Sequence, residues 1–400
     1  MRRVLIIIAS LIVLVGAGIF VYYYFFANKP GLTVAPSSIN PALPGSTSAV
    51  VDVASDAGQG PVEITTTRIT ERLVRISQGP VVPGEAVITV PAANATGTAD
   101  VHIQYIERQS GNIFSYLVRA GKSIRISNRT LPGIVRASWL PTGKMAFVQY
   151  LSGDTLSNIE TYGLFADGSG GFFLPQGLAE VHTSGVSVLT LASGANGSSA
   201  ALVHSDGTHS NTVFTSPFSS LRIAFGGKNQ YIAFTKPAQS IGGYLFLVDS
   251  VGRFSRLAGP LPGLVALASP SGKFVLVSYA QAGVMRLELI DTSTRLVTVL
   301  PVATIADKCV WANDDLAVYC GVPTTPSSEY SYPDDWYQGA IHFSDRIWKI
   351  DVQGRYAQLV VDFSSANVGT LDAEALALDL DETILVFVNK NDGSLWGYQF

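Results

Sequence analysis

The sequence predicts an all-β domain behind a single N-terminal membrane helix, on three observations. From about residue 67 onward the apolar residues fall in short runs broken by Gly, Pro, Asn and Asp, with no 3.6-residue stripe among them. One phrase recurs along that stretch at a nearly constant interval: a small-residue strand, a polar turn, then a strand dense in aromatic and β-branched residues. The start of the chain is of another kind, uncharged and apolar from Val4 to Phe26.

The segment "VLIIIASLIVLVGAGIFVYYYFF" exceeds the roughly 20 apolar residues that cross about 30 Å of hydrocarbon as a helix. Arg2 and Arg3 precede it, and Tyr22, Tyr23 and Tyr24 form an aromatic belt at its far end, with Lys29 just beyond. Positive charge stays on the cytoplasmic side, so residues 1–27 read as a transmembrane signal anchor with everything after them outside the cell membrane. Cleavage near Ala17 is the rival reading and would leave "GIFVYYYFF" on the mature chain. Residues 28–66 are rich in Pro, Ser, Ala, Gly and Thr and bury too little surface to offset their ordering entropy. They read as a disordered tether that holds the rest on the order of 35 Å from the membrane.

Only 14% of residues are charged and the net charge is -4, so no basic field exists to hold nucleic acid.

The recurring phrase is "ASWLPTGKMAFVQY" from 137, "RIAFGGKNQYIAFTK" from 222, "ALASPSGKFVLVSY" from 266, "CVWANDDLAVYC" from 309 and "LALDLDETILVFVN" from 376. A weaker copy starts at Glu180, and "TADVHIQYIER" supplies the strong strand of an earlier unit. A spacing of a little over forty residues is the period of four-stranded propeller blades. Strands such as "KFVLVSY" are apolar on both faces, as strands sandwiched between neighbouring sheets must be. Residues 67–400 are thus expected to form a β-propeller of seven blades, the period also allowing six or eight.

Three further phrases match one another: "RLVRISQGPVVPG" from 72, "SIRISNRTLPG" from 123 and "RFSRLAGPLPG" from 253. Each suits an outer strand that ends a blade, followed by a Pro-Gly turn into the next. The last unit, from about Leu371, has only three strands of its own. "RLVRIS" is expected to supply its fourth, closing the ring.

In "CVWANDDLAVYC" a turn centred on Asp314 and Asp315 sets Cys309 opposite Cys320, within reach of a cross-strand disulfide in an oxidising compartment. Two buried thiols are the other reading. A two-cysteine zinc site lacks histidines at ligand spacing.

The phrases "RISNRTLPG", "KCVWANDDLAVYCGVP", "YPDDWYQGAIHFSDRIWKID" and "FVNKNDGSLWGYQF" resemble a family of bacterial single-span envelope proteins whose ectodomain is a WD40-like or TolB-like β-propeller. The resemblance covers roughly residues 68–400. It implies the fold and an extracytoplasmic location, and it supplies no activity, since propellers host unrelated functions.

The residues themselves point away from catalysis. The chain has no G-x-S-x-G elbow, H-E-x-x-H, P-loop or dinucleotide fingerprint, and no cofactor is expected. His102, His182, His204, His209 and His342 are scattered over different blades. "DLDETI", with Asp379, Asp381 and Glu382, alternates carboxylates like a calcium loop but lacks the further ligands, so no metal site is expected.

One segment breaks the period. "VPTTPSSEYSYPDDWYQGAIHF" is an insert between the second and third strands of blade six, carrying Tyr330, Tyr332, Asp334, Asp335, Trp336 and Tyr337. Flat aromatic faces beside carboxylates suit recognition of a peptide or a hydroxylated ligand. Alternatively, the same aromatics pack back onto the propeller as a satellite core. The functional expectation is a non-enzymatic binding or scaffold module of the cell envelope with a protein or peptide partner. A cryptic propeller hydrolase or lyase with a metal in the central channel is the alternative.

Overall fold

The structure is a computed structural model. It describes residues 72–92, 99–366 and 368–400, and the backbone alone of 63–65 and 67–68. The anchor and nearly all of the tether lie outside the described residues; Glu63–Thr65, expected as the last of the tether, instead pairs as a strand with Lys122–Ile124 of blade one. Among the described residues no helix is long and apolar enough to cross a membrane.

Seven antiparallel sheets follow one another as the blades of a propeller, as the period predicts. The inner strands, in order, are Ala86–Val90, Ile134–Trp139, Leu178–Ser184, Leu221–Phe225, Val265–Ala268, Cys309–Trp311 and Ala373–Leu378. In blades one to six, three more strands run outward from each in chain order, and in blade one Glu63–Thr65 adds a fifth at the outer edge. Blade seven takes its fourth strand from early in the chain: Leu73, Val74 and Arg75 pair with Tyr398, Gly397 and Trp396. Leu73, Val74 and the following Ile76 are all buried there.

The second strands carry the core. Ile384–Asn389 is buried at every position, and Met145–Ser152 and Phe274–Gln281 at most of theirs. Both faces of each sheet are covered by the neighbouring blades, so side-chain alternation disappears. The outermost strands are half exposed, with Phe173 and Val299 open to solvent.

The matched phrases have a common backbone cause. Their closing glycines, Gly84, Gly133 and Gly263, have φ of +100°, +80° and +66° where an outer strand hands over to the next inner strand. A side chain is disfavoured at such φ. At Gly84 a Cβ would also lie 2.0 Å from the carbonyl oxygen of Ala137 on the adjacent inner strand.

In blade six Cys309 pairs with Cys320, their Cα atoms 4.1 Å apart and their sulfurs joined. The turn residue Asp315, at φ +63°, accepts the Ser271 amide at 3.2 Å from the matching turn of blade five. "DLDETI" is a turn of the same kind. Asp379 accepts the amides of Thr383 and Ile384 at 2.7 and 2.8 Å and the Thr383 hydroxyl at 2.7 Å.

Candidate ligand site at the channel mouth

Inner strands all enter the central channel from one face, and second strands end on that face. The blade-six insert, between Pro323 and Asp345, therefore emerges at the channel mouth. Six blades place a charged residue within two positions of the start of the inner strand: Glu85, Arg136, Glu180, Arg222, Asp307 and Glu374. Blade five has no charge there, offering Leu264, Val265 and Leu267 beside Gly263 and Ala266.

Arg222 is the hub. Its Nε donates to Glu180 Oε1 at 3.1 Å, and its Nη1 donates to Asp307 Oδ2 at 2.7 Å and to the Tyr337 hydroxyl oxygen at 3.3 Å. Tyr337 in turn donates its hydroxyl to Asp307 Oδ2 at 2.6 Å. The other oxygen of Glu180 accepts the Ile223 amide at 3.2 Å and lies 3.0 Å from His182 Nε2. Burial alone would raise the Glu180 carboxyl, but His182 and Arg222 outweigh it and hold the group at about 2. Burial likewise opposes the charge on Arg222, yet Asp307, Tyr337 and Glu180 keep its pKa well above the usual guanidinium value. Although 38% of Tyr337 is exposed, its hydroxyl points inward, and burial together with the Asp307 charge pushes its pKa well above the usual phenol value. It therefore stays a donor.

Arg222, Glu180, Asp307 and Tyr337 line a cavity of about 470 Å³, with Arg136 and Lys236 on its wall beside Val135, Leu151, Ile159 and Leu221. Arg136 and Lys236 make no side-chain hydrogen bond or ion pair with the described residues; Arg136 acts on Glu180 through its charge only.

The insert is held down by a buried ionic cluster. Lys308 Nζ donates to Asp345 Oδ2 at 2.8 Å, to the Ala373 carbonyl at 3.0 Å and to Asp372. Trp336 gives its indole N–H to Asp372 at 3.1 Å and stacks its ring 4.9 Å from the Lys308 ammonium. Burial raises Asp345 to about 6 against the pull of Lys308. Lys308 itself is raised, the two carboxylates overcoming its burial.

The residues singled out in the insert divide between two environments. Tyr332 and Trp336 are buried, whereas Tyr330 and Tyr337 reach the surface. Asp334 and Asp335 bind the chain itself, accepting the amides of Gln239 at 2.6 Å and Ser331 at 2.8 Å. Among the five histidines His182 joins the mouth, and among the described residues no three Asp, Glu, His or Cys side chains converge as metal ligands. The charged ring leaves only a faint trace in the sequence: one or two charges near the start of an otherwise small and apolar strand in "GEAV", "IVRAS", "LAEVH", "LRIAF", "ADKCV" and "DAEALAL".

No protein-family model matches the chain, and no curated protein matches its sequence. Among solved structures, an oligogalacturonate lyase from Vibrio parahaemolyticus matches with TM-score 0.58 at 7% identity, over 85% of this chain and 98% of that one. An oligogalacturonate lyase in complex with manganese matches with TM-score 0.54 at 7% identity, over 85% and 98%. TolB from Acinetobacter baumannii matches with TM-score 0.42 at 14% identity, over 68% and 62%. At such identities the two lyases are similar to this chain in fold, a seven-bladed β-propeller, and in nothing more.

Proposed function

We propose that the chain is a membrane-anchored, extracytoplasmic binding module of the cell envelope that holds a ligand or a peptide segment of a partner at the channel mouth without converting it. One observation carries this reading: the blade-six insert lays Tyr337 on Arg222 and Asp307 at the edge of a cavity of about 470 Å³. That volume suits a small ligand, and flat aromatic groups beside charges suit recognition. Glu180 and Asp307, the acids of the cavity, are each engaged by two or more donors, which favours holding over proton transfer. The location rests on Arg2 and Arg3 before the uncharged Val4–Phe26 segment, and on the resemblance to single-span envelope proteins.

The test uses the full-length chain in lipid nanodiscs, incubated with fractionated cell-envelope metabolites and peptides, with bound compounds eluted and weighed. Compounds recovered at unchanged mass support the reading, and a shifted mass that builds up with time overturns it. For the location, protease added to intact cells should cut the propeller or release it at the tether; protection of the whole chain beyond residue 28 would contradict it.

A second reading, a propeller lyase or hydrolase using a metal in the channel, is favoured by one feature. Among the described residues both carboxyl oxygens of Glu85 are buried without a well-formed hydrogen bond, the amides of Gly84 and Glu85 easing their burial only in part, and Glu374 acts on the group electrostatically. The manganese complex of an oligogalacturonate lyase has the same fold. Elemental analysis of the purified chain decides: a stoichiometric metal lost in Glu85→Gln supports this second reading.

A further inference from the structure

We propose that the channel-mouth cavity takes an organic monocarboxylate with an apolar body, its anionic end held by Arg136 and Lys236. The proposal rests on the binding reading above and names the ligand class.

The wall of the cavity has an apolar side. Val135 and Leu151 line it and remain 44% and 41% exposed, beside Ile159 and Leu221. Aliphatic groups left uncovered in a concavity of this size favour a ligand that carries apolar surface of its own.

The charges point to one negative group. Arg136, Arg222 and Lys236 set against Glu180 and Asp307 leave three minus two, or +1, on the wall, in a chain whose net charge is -4. Arg222 is consumed by the two acids, whose oxygens it bridges. The unspent cations are Arg136 and Lys236, one on a blade strand and the other just past the end of one. Arg136 lies on the inner strand of blade two, opposite Gln149. Lys236 follows the second strand of blade four, its amide bonded to the Ser220 carbonyl at 2.9 Å.

A neutral ligand would desolvate two cations without compensation. A dianion would leave a surplus negative charge beside Glu180 and Asp307. A single carboxylate matches the net charge, and its two oxygens match the guanidinium fork of Arg136 with the Lys236 ammonium alongside.

The experiment is calorimetric titration of the full-length chain in zwitterionic nanodiscs with 3-phenylpropionate, 3-phenylpropionamide and inorganic phosphate. The carboxylate should bind at least on the order of tenfold more tightly than the amide or phosphate, and Arg136→Gln and Lys236→Gln should each remove about that factor. Both variants should keep the wild-type thermal transition near neutral pH, since neither side chain makes a hydrogen bond or ion pair with the described residues. Equal binding of acid and amide, stronger binding of phosphate, absence of saturable carboxylate binding, or indifference to both substitutions overturns the proposal. The acid-to-amide comparison on the unmodified chain needs no variant. A neutral compound eluted unchanged from the metabolite test would sink this ligand class while leaving the binding reading intact. Conversion of a bound acid would do the opposite.

Discussion

Arg222 and Asp307 are joined at 2.7 Å across the channel mouth although a whole blade lies between them. Arg222 opens the inner strand of blade four and Asp307 precedes that of blade six, while the apolar start of blade five leaves the path between them clear. With the bond to Glu180 of blade three, the guanidinium ties together blades three, four and six.

Arg222→Leu should therefore lower stability by about 2–3 kcal/mol. That is less than the loss for a fully buried pair, because Arg222 and Asp307 keep 18% and 22% exposure. The midpoint of urea unfolding measures it. The acid limb should change too. Glu180 sits at about 2 against an ordinary 4.5, so its contribution is complete above about pH 4.5 and lost as pH falls toward 2. In the variant the loss should be smaller and, starting from the same pH of about 4.5, be complete at a higher pH than in wild type.

Trp336→Ala and Tyr337→Phe should behave differently. Trp336 is 3% exposed and anchored on Asp372, so its truncation should cost about 3–5 kcal/mol and open residues 324–344 to protease. Tyr337→Phe removes one hydroxyl at the rim and should leave the melting transition within about 1 kcal/mol of wild type. Its effect should show instead as a changed affinity for whatever occupies the cavity. Similar stability losses in the two variants would mean that the rim hydroxyl is part of the core.

Glu85 should make the protein less stable as pH rises. Burial, with Glu374 adding to it, lifts this carboxyl from 4.5 to about 8. Between those values the folded chain holds a proton that the unfolded chain has released, so stability falls as pH climbs from 4.5 to 8 and levels off above. Glu85→Gln abolishes that slope. The Tm difference between variant and wild type should widen in favour of the variant from pH 5 to 8, while the slope from Asp345, near 6, is common to both. Parallel curves would show that Glu85 is solvated.

For Cys309 and Cys320, peptides from exported, unreduced protein should carry the two residues linked. The bridge closes a sequence separation of only 11, so Cys309→Ser with Cys320→Ser should cost no more than about 2–3 kcal/mol by chain entropy. The variant should still fold, since Trp311 and Val318 beside the pair remain buried. Two free thiols in exported protein would argue against the linkage or the compartment.

What the sequence by itself determined was the all-β, seven-bladed plan, because its signals are local. Each hairpin is announced by a polar turn between a small-residue strand and an aromatic one, and handover turns are marked by glycines at positive φ, where a side chain is disfavoured. The position of the insert could be read from the broken period, but not which of its aromatics faces inward. Adjacent in sequence, Trp336 and Tyr337 part because the partners of Trp336, Lys308 and Asp372, come from elsewhere in the chain. Only the tertiary structure decided the charged mouth. Arg222 and Asp307 lie 85 residues apart, and Lys308 and Asp372 lie 64 apart. No periodicity links such pairs; they meet because the blades close into a ring that brings the starts of all the inner strands to one place.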